Sequence, residues 1–65
     1  MIVEDISNGR GGSVVIIGDN ENEVRERAKQ ERQEIDFMRS PSFDGIVKKM
    51  SSGEYVAKVT YWGLD

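Results

Sequence analysis

Residues 43–62 read FDGIVKKMSSGEYVAKVTYW and hold four of the five aromatic residues in the chain. Two runs rich in β-branched and aromatic residues flank Ser51, Ser52 and Gly53, and this pattern predicts a β-hairpin. A three-residue loop with Gly53 in the left-handed conformation is one way to close it, because glycine adopts a positive φ without steric cost. A two-residue loop of Ser52 and Gly53 is the alternative. It would slip one strand by a residue and reverse its faces.

We favour the three-residue loop because it makes one face of the hairpin almost wholly apolar. Its pairs are symmetric about Ser52: Met50 with Glu54, Lys48 with Val56, Val47 with Ala57, and Phe43 with Tyr61. The predicted core face then consists of Phe43, Gly45, Val47, Tyr55, Ala57, Val59 and Tyr61, with Lys49 at its end. The two-residue loop would instead bring charged side chains onto that face, namely those of Lys48 and Asp44.

The N-terminal part of the chain predicts a second hairpin. Residues 1–7 contain three β-branched apolar residues and indicate a short strand, and the dipeptide Asn8-Gly9 that follows is a strong hairpin turn signal. Val14–Ile17 form an uninterrupted β-branched run. Such a run is typical of a strand that is buried on both faces.

One helix is predicted over residues 21–38. Asn20, followed three residues later by Glu23, fits a capping box, and Asp19 is the alternative cap. The helix should end before Ser40-Pro41, because a residue that precedes proline disfavours the α-helical conformation. Its apolar stripe is thin and consists of Val24, Ala28, Ile35 and Met38.

Side chains along this helix suggest further contacts. Opposite charges four residues apart predict two ion pairs, Glu21 with Arg25 and Glu23 with Arg27. Phe37 lies off the apolar stripe, and we expect it to pack beneath the chain as the chain turns towards Phe43.

These elements predict a single α+β domain over residues 1–65, with the order ββαββ. The simplest packing is an antiparallel sheet of about four strands with one helix across one face. A single helix covers only one face of a sheet. The β-branched run at 14–17 therefore predicts that something else covers the other face.

Composition restricts the chemistry of the chain. It has 65 residues, a formal net charge of −3, and neither cysteine nor histidine, so disulfides, thiolate zinc sites and imidazole ligands are excluded. We expect no cofactor and no metal. A domain near this size buries only about 60% of its unfolded surface and often gains stability from a partner subunit. The sequence contains neither an apolar run of the roughly 20 residues that cross a bilayer nor a signal-peptide pattern, so we expect a cytoplasmic protein without membrane contact.

Three local patterns resemble functional motifs but lack the required context. Residues 9–12 read GRGG and match the GxxG loop of KH domains, yet an extended segment follows where that family has a helix. The same glycines lack the Gly-Lys-Ser/Thr of a phosphate-binding loop. Residues 19–23 resemble the start of a calcium loop, but Val24 and Gln30 occupy its glycine and glutamate positions. No carboxylate pair has catalytic spacing, and we expect no enzyme activity.

The outer face of the C-terminal hairpin is the candidate interaction site. It combines apolar residues, two lysines and a tryptophan, and consists of Ile46, Lys48, Met50, Val56, Lys58, Thr60 and Trp62. Tryptophan and methionine are enriched where protein partners bind, so we expect a homodimer or another protein partner. The alternative function is single-stranded nucleic-acid binding, with Trp62 stacking on bases and Lys48 and Lys58 near phosphates. Trp62 could instead fold over a sheet edge or against the N-terminal strand.

A biological context follows by analogy alone. The chain begins at Met1 and contains no linker, so we expect a complete small gene product. Proteins of this kind are often regulatory accessory proteins of phages or bacteria.

Overall fold

The computed structural model describes residues 1–7 and 10–62. Its elements are β1 (Ile2–Ser7), β2 (Gly11–Gly18), α1 (Glu21–Glu34), a 3-10 turn (Phe37–Arg39), β3 (Lys48–Lys49) and β4 (Tyr55–Trp62). The four strands form one antiparallel sheet in the order β1-β2-β4-β3, with α1 packed on one face. The predicted α+β fold and the order ββαββ are confirmed. The expected turn at Asn8-Gly9 lies outside the described residues.

The two central strands and the helix form the core. Alternation along β2 and β4 directs every second side chain towards α1. Ladder partners such as Val14 and Val59 therefore lie on the same side of the sheet. On the helix, Val24 and Ala28 are fully buried against them. The buried apolar residues are Val14, Ile16, Val24, Ala28, Ala57, Val59 and Tyr61.

Tyr61 closes one end of the core and links three strands. Its ring lies over Gly12, where an added Cβ would come within 2.7 Å of the Tyr61 hydroxyl oxygen and 2.5 Å of the Ile6 carbonyl oxygen. The hydroxyl donates a 2.6 Å hydrogen bond to Oδ1 of Asp5 on β1. A glycine at position 12 is therefore what lets this ring approach the sheet.

The C-terminal hairpin closes as predicted. Gly53 has a φ of 93°, and its N–H donates to the Met50 carbonyl at 3.0 Å. The Met50 N–H donates to the Glu54 carbonyl at 2.7 Å, and Lys48 pairs with Val56. The three-residue loop and its register next to the turn are confirmed.

Farther from the turn, the predicted register is wrong. Phe43 was expected opposite Tyr61 and Val47 opposite Ala57. In the structure β3 begins only at Lys48, and Ser42 pairs with Thr60 through an isolated bridge.

A local turn causes this difference. From Ser42 to Lys48 the chain advances six residues, while β4 advances four. The two extra residues are accommodated at Gly45, which has a φ of 81°, and at Asp44, whose Oδ1 accepts a 3.0 Å hydrogen bond from the Ile46 N–H. Because the excess is even, the faces are preserved. Phe43 and Val47 still pack against the core.

The helix begins as predicted and ends one turn early. The Asn20 side chain accepts a 3.1 Å hydrogen bond from the Glu23 N–H. At the other end, α1 stops at Glu34 and Ile35 is extended, so the predicted end at Met38 is wrong. Asp36 starts the 3-10 turn instead, with Oδ1 accepting from the Met38 N–H at 3.0 Å.

This early end changes the surroundings of two apolar residues. Phe37 is 84% exposed and Met38 is 64% exposed, so the predictions that they pack against the protein are wrong. Ile35 does pack at the edge of the core.

The ion pairs along α1 follow the prediction in part. Arg25 and Glu21 form the predicted pair, at 3.6 Å. Arg27 pairs with Glu31 at 2.8 Å rather than with Glu23.

The packing at Gly12 predicts a loss of stability in Gly12→Ala. The added methyl would meet a backbone carbonyl and a buried ring, and overpacking of this kind costs about 1–3 kcal/mol. Urea unfolding followed by circular dichroism measures the change. Ser13→Ala, on the next residue of the same strand and the opposite face, is the control. Equal stability of the two variants would contradict the packing described for Tyr61.

The Asp5–Tyr61 hydrogen bond predicts a pH dependence at alkaline pH. Bonding to the Asp5 carboxylate, followed by burial and the Asp5 charge, raises the pKa of Tyr61 above 10.0, while Arg39 opposes the shift. The folded state therefore holds this proton more tightly than the unfolded state. The resulting stabilisation is complete below about pH 10 and is lost as pH rises through the folded pKa. As pH rises through this range, the free energy of unfolding should therefore fall in the wild type and in Tyr55→Phe. Tyr61→Phe should lack the contribution of this hydroxyl to that fall.

Candidate functional site

The candidate site is the sheet face that points away from α1, which we call the outer face. Along β4, alternation gives it Val56, Lys58, Thr60 and Trp62, because Ala57, Val59 and Tyr61 point into the core. The ladder places side chains of β1 and β2 beside them in cross-strand rows. The rows are Ile2, Ile17, Val56 and Lys48; Glu4, Val15 and Lys58; and Ile6, Ser13, Thr60 and Ser42.

Several apolar residues of the outer face lie open to solvent. Ile2, Ile6 and Ile46 are 57%, 54% and 55% exposed, and Trp62 is 68% exposed. Val15 and Ile17 of β2 are half-buried. Within this chain α1 covers one face of the run 14–17, and the prediction that something else covers the other face stays a prediction. Only the core-facing residues of the run are buried.

Five of the seven predicted site residues line one shallow groove. Its volume is about 370 Å³, and β4 and the segment that leads into β3 form its walls. The predicted residues that line it are Ile46, Lys48, Val56, Lys58 and Thr60; Ser42, Asp44 and Ala57 complete the lining.

The other two predicted residues lie outside this groove. Met50 is half-buried at the hairpin turn, where its backbone closes the loop. Trp62 pairs with Gly11 on β2 and lines a separate cleft with Arg10. The indole is 68% exposed, so it is not folded against the N-terminal strand.

Two exposed apolar residues of the outer face were absent from the sequence prediction. Ile2 and Ile6 lie on β1 with their side chains on the outer face, on either side of Glu4. Their spacing is the period-two signal of a strand with one apolar face. Assigning that face required the ladder register between β1 and β2, which the residue types alone did not give.

The charges of the outer face are mixed. Lys48 and Lys58 lie on β3 and β4, while Glu4 lies on β1 and Asp44 lies in the groove wall. The face therefore lacks the uniform positive charge that nucleic-acid surfaces use to neutralise phosphates.

Within residues 1–7 and 10–62, no three His, Cys, Asp or Glu side chains are grouped so that they could hold a metal ion. No helix in this part of the chain has the length and apolar character needed to cross a bilayer.

Comparison with known proteins assigns no family to the chain. No protein-family model, curated protein or solved structure matches it. Its function is therefore inferred from the chemistry of its own surface.

Proposed function

We propose that this protein is a non-catalytic interaction module that binds a protein surface, either a second copy or another partner, through its outer face. The supporting observation is the exposed apolar area there. Three isoleucines and a tryptophan are each more than half exposed in a chain of 65 residues. Contiguous apolar patches of this kind mark interaction sites in soluble proteins.

The layer structure supports this proposal. A sheet that has one apolar face needs one layer to bury that face, and α1 provides this layer. Here the second face also carries Val15, Ile17 and Val56, which α1 does not reach. Removing apolar surface from water contributes about 25 cal/mol per Å², so covering this face by another molecule would be favourable.

The size of the face suggests a reversible interaction. The two central strands have eight residues each, β1 has six and β3 has two. At about 3.3 Å per residue and about 4.8 Å between strands, the sheet presents a face of roughly 400 Å². A complex that covers it would bury on the order of 800 Å² over both partners, within the range of weak and transient interfaces. This area suits a regulatory accessory protein that binds and releases its partner.

The mixed charge favours a protein partner over single-stranded nucleic acid. Stacking on Trp62 with phosphates near Lys48 and Lys58 requires a cationic path along the strand. Glu4 and Asp44 lie on the same surface and would repel a phosphate backbone.

Outer-face variants test the proposal. Trp62→Ala and Ile6→Ser should each weaken association about tenfold or more, because a few aromatic and aliphatic anchors contribute most of the affinity of such interfaces. Sedimentation from low to high micromolar concentration measures self-association, and pull-down from a host extract compares retention of other partners. Phe37→Ala is the matched control, since Phe37 is 84% exposed and lies outside the sheet.

Two results would count against this function. One is a chain that stays monomeric and retains the same proteins whether or not Trp62 and Ile6 are replaced. The other is tight, strongly salt-dependent binding of a single-stranded oligonucleotide, which would favour the nucleic-acid alternative.

A further inference from the structure

The outer face carries opposite charges at equal distances from strand β2. Glu4 on β1 and Lys58 on β4 both pair with Val15 on β2, so the three residues form one cross-strand row. Adjacent strands are about 4.8 Å apart, and each charge therefore lies about one strand spacing from β2. Both charged side chains are exposed, and Val15 between them is half-buried.

This arrangement is self-complementary under one particular two-fold rotation. An axis parallel to the strands and above β2 places β1 of one copy over β4 of the other and leaves positions along the strands unchanged. Glu4 then lies opposite Lys58 of the second copy, and Lys58 lies opposite its Glu4. Val15 and Ile17 face their own counterparts, as in any isologous interface.

Two other two-fold packings of the same face bring like charges together. An axis above β4 would place Lys58 opposite Lys58. An axis perpendicular to the strands and above the Glu4–Val15–Lys58 row would place Glu4 opposite Glu4 and Lys58 opposite Lys58. Like charges across an interface are unfavourable, so the charge pattern favours the axis above β2 over both of these packings.

Pairing of two sheets edge to edge through β1 is also disfavoured. β1 is an edge strand, with Glu4 and Asp5 at its centre. In antiparallel pairing of two β1 strands, the three central registers place Glu4 opposite Glu4, Glu4 opposite Asp5, or Asp5 opposite Asp5. Like charges directly opposite each other destabilise a strand pair, and charges of this kind commonly protect sheet edges.

We infer that the outer face is covered by a second copy of this chain, packed face to face about a two-fold axis parallel to the strands, with two Glu4–Lys58 ion pairs beside an apolar centre. This inference rests on the proposed function and names its partner. Packed sheets lie about 10 Å apart, a gap that facing glutamate and lysine side chains can span. The ion pairs fix the orientation of one copy relative to the other. The apolar centre, formed by Val15 and Ile17 of both copies, supplies most of the affinity.

Charge reversal tests the geometry. Glu4→Lys alone and Lys58→Glu alone each create two like-charge contacts per dimer, and each should weaken dimerisation about tenfold or more in low salt. The double variant exchanges the two charges and should dimerise within about threefold of wild type. Mixing the two single variants should also restore association, because both contacts in the mixed dimer are attractive.

Lys29→Glu is the matched control. Lys29 is an exposed lysine on α1, which covers the opposite face of the sheet, so it lies outside the inferred interface. This charge reversal should leave the dimerisation constant within about twofold of wild type. Circular dichroism checks that each variant folds, and Glu4→Gln with Lys58→Gln replaces the reversals if either does not.

The possible results separate this inference from the proposed function. A double variant as weak as the single variants, unrestored association in the mixture, or an equal effect of Lys29→Glu would overturn the inferred dimer geometry. A monomeric wild type whose outer face binds a different protein would overturn the inference and leave the proposed function standing. Association unaffected by Trp62→Ala and Ile6→Ser would overturn both.

Discussion

The structure depends on one short helix packing against the two central strands of a single sheet. Val24 and Ala28 are the only residues of α1 that are buried, and they contact a core made by alternate residues of β2 and β4. Ala28 has a small side chain, so the helix can approach the sheet closely. Because α1 packs on one side of the sheet only, the core is limited to that face. Every apolar residue that alternation sends to the outer face, including Ile17, lies beyond the reach of α1.

Tyr61 connects this core to the outer face. β1 is exposed along its whole length, and it is held by the ladder to β2 and by the hydrogen bond from Tyr61 to Asp5. Because Gly12 lets the ring lie flat on the sheet, the hydroxyl reaches across β2 to the edge strand. The position of β1 in turn fixes Ile2, Glu4 and Ile6 on the outer face. A core contact thus helps to build the candidate interaction surface.

Sequence patterns predicted the element order and the inner face of the hairpin because both depend on periodicity. Gly53 fixed the turn, and two-residue alternation assigned core and outer sides correctly. What periodicity missed were local hydrogen bonds that compete with regular structure. Asp44 interrupts the third strand, and Asp36 replaces the last helical turn with a 3-10 turn.

For the candidate site, prediction from the sequence was limited by the unknown pairing of β1 with β2. Residue types identified the outer face of β4, where the hairpin turn set the register. The contribution of β1 could not be assigned from residue types, because it depends on which β1 residue lies opposite Val15. The exposure of Phe37 could likewise not be predicted, since an aromatic residue near a helix end can face either the core or the solvent.

An exposed apolar sheet face needs charges that restrict how it can be covered. Unrestricted apolar faces and edges associate in many registers, which leads to aggregation. Here Glu4 and Asp5 oppose pairing along the β1 edge, and in the dimer that we infer, Glu4 and Lys58 favour face-to-face packing in one orientation. Glu4 acts in both ways, because it is central on the edge strand and its side chain lies on the outer face. Charge placement on a small sheet can therefore convert a general tendency to associate into a preference for one closed, two-fold arrangement.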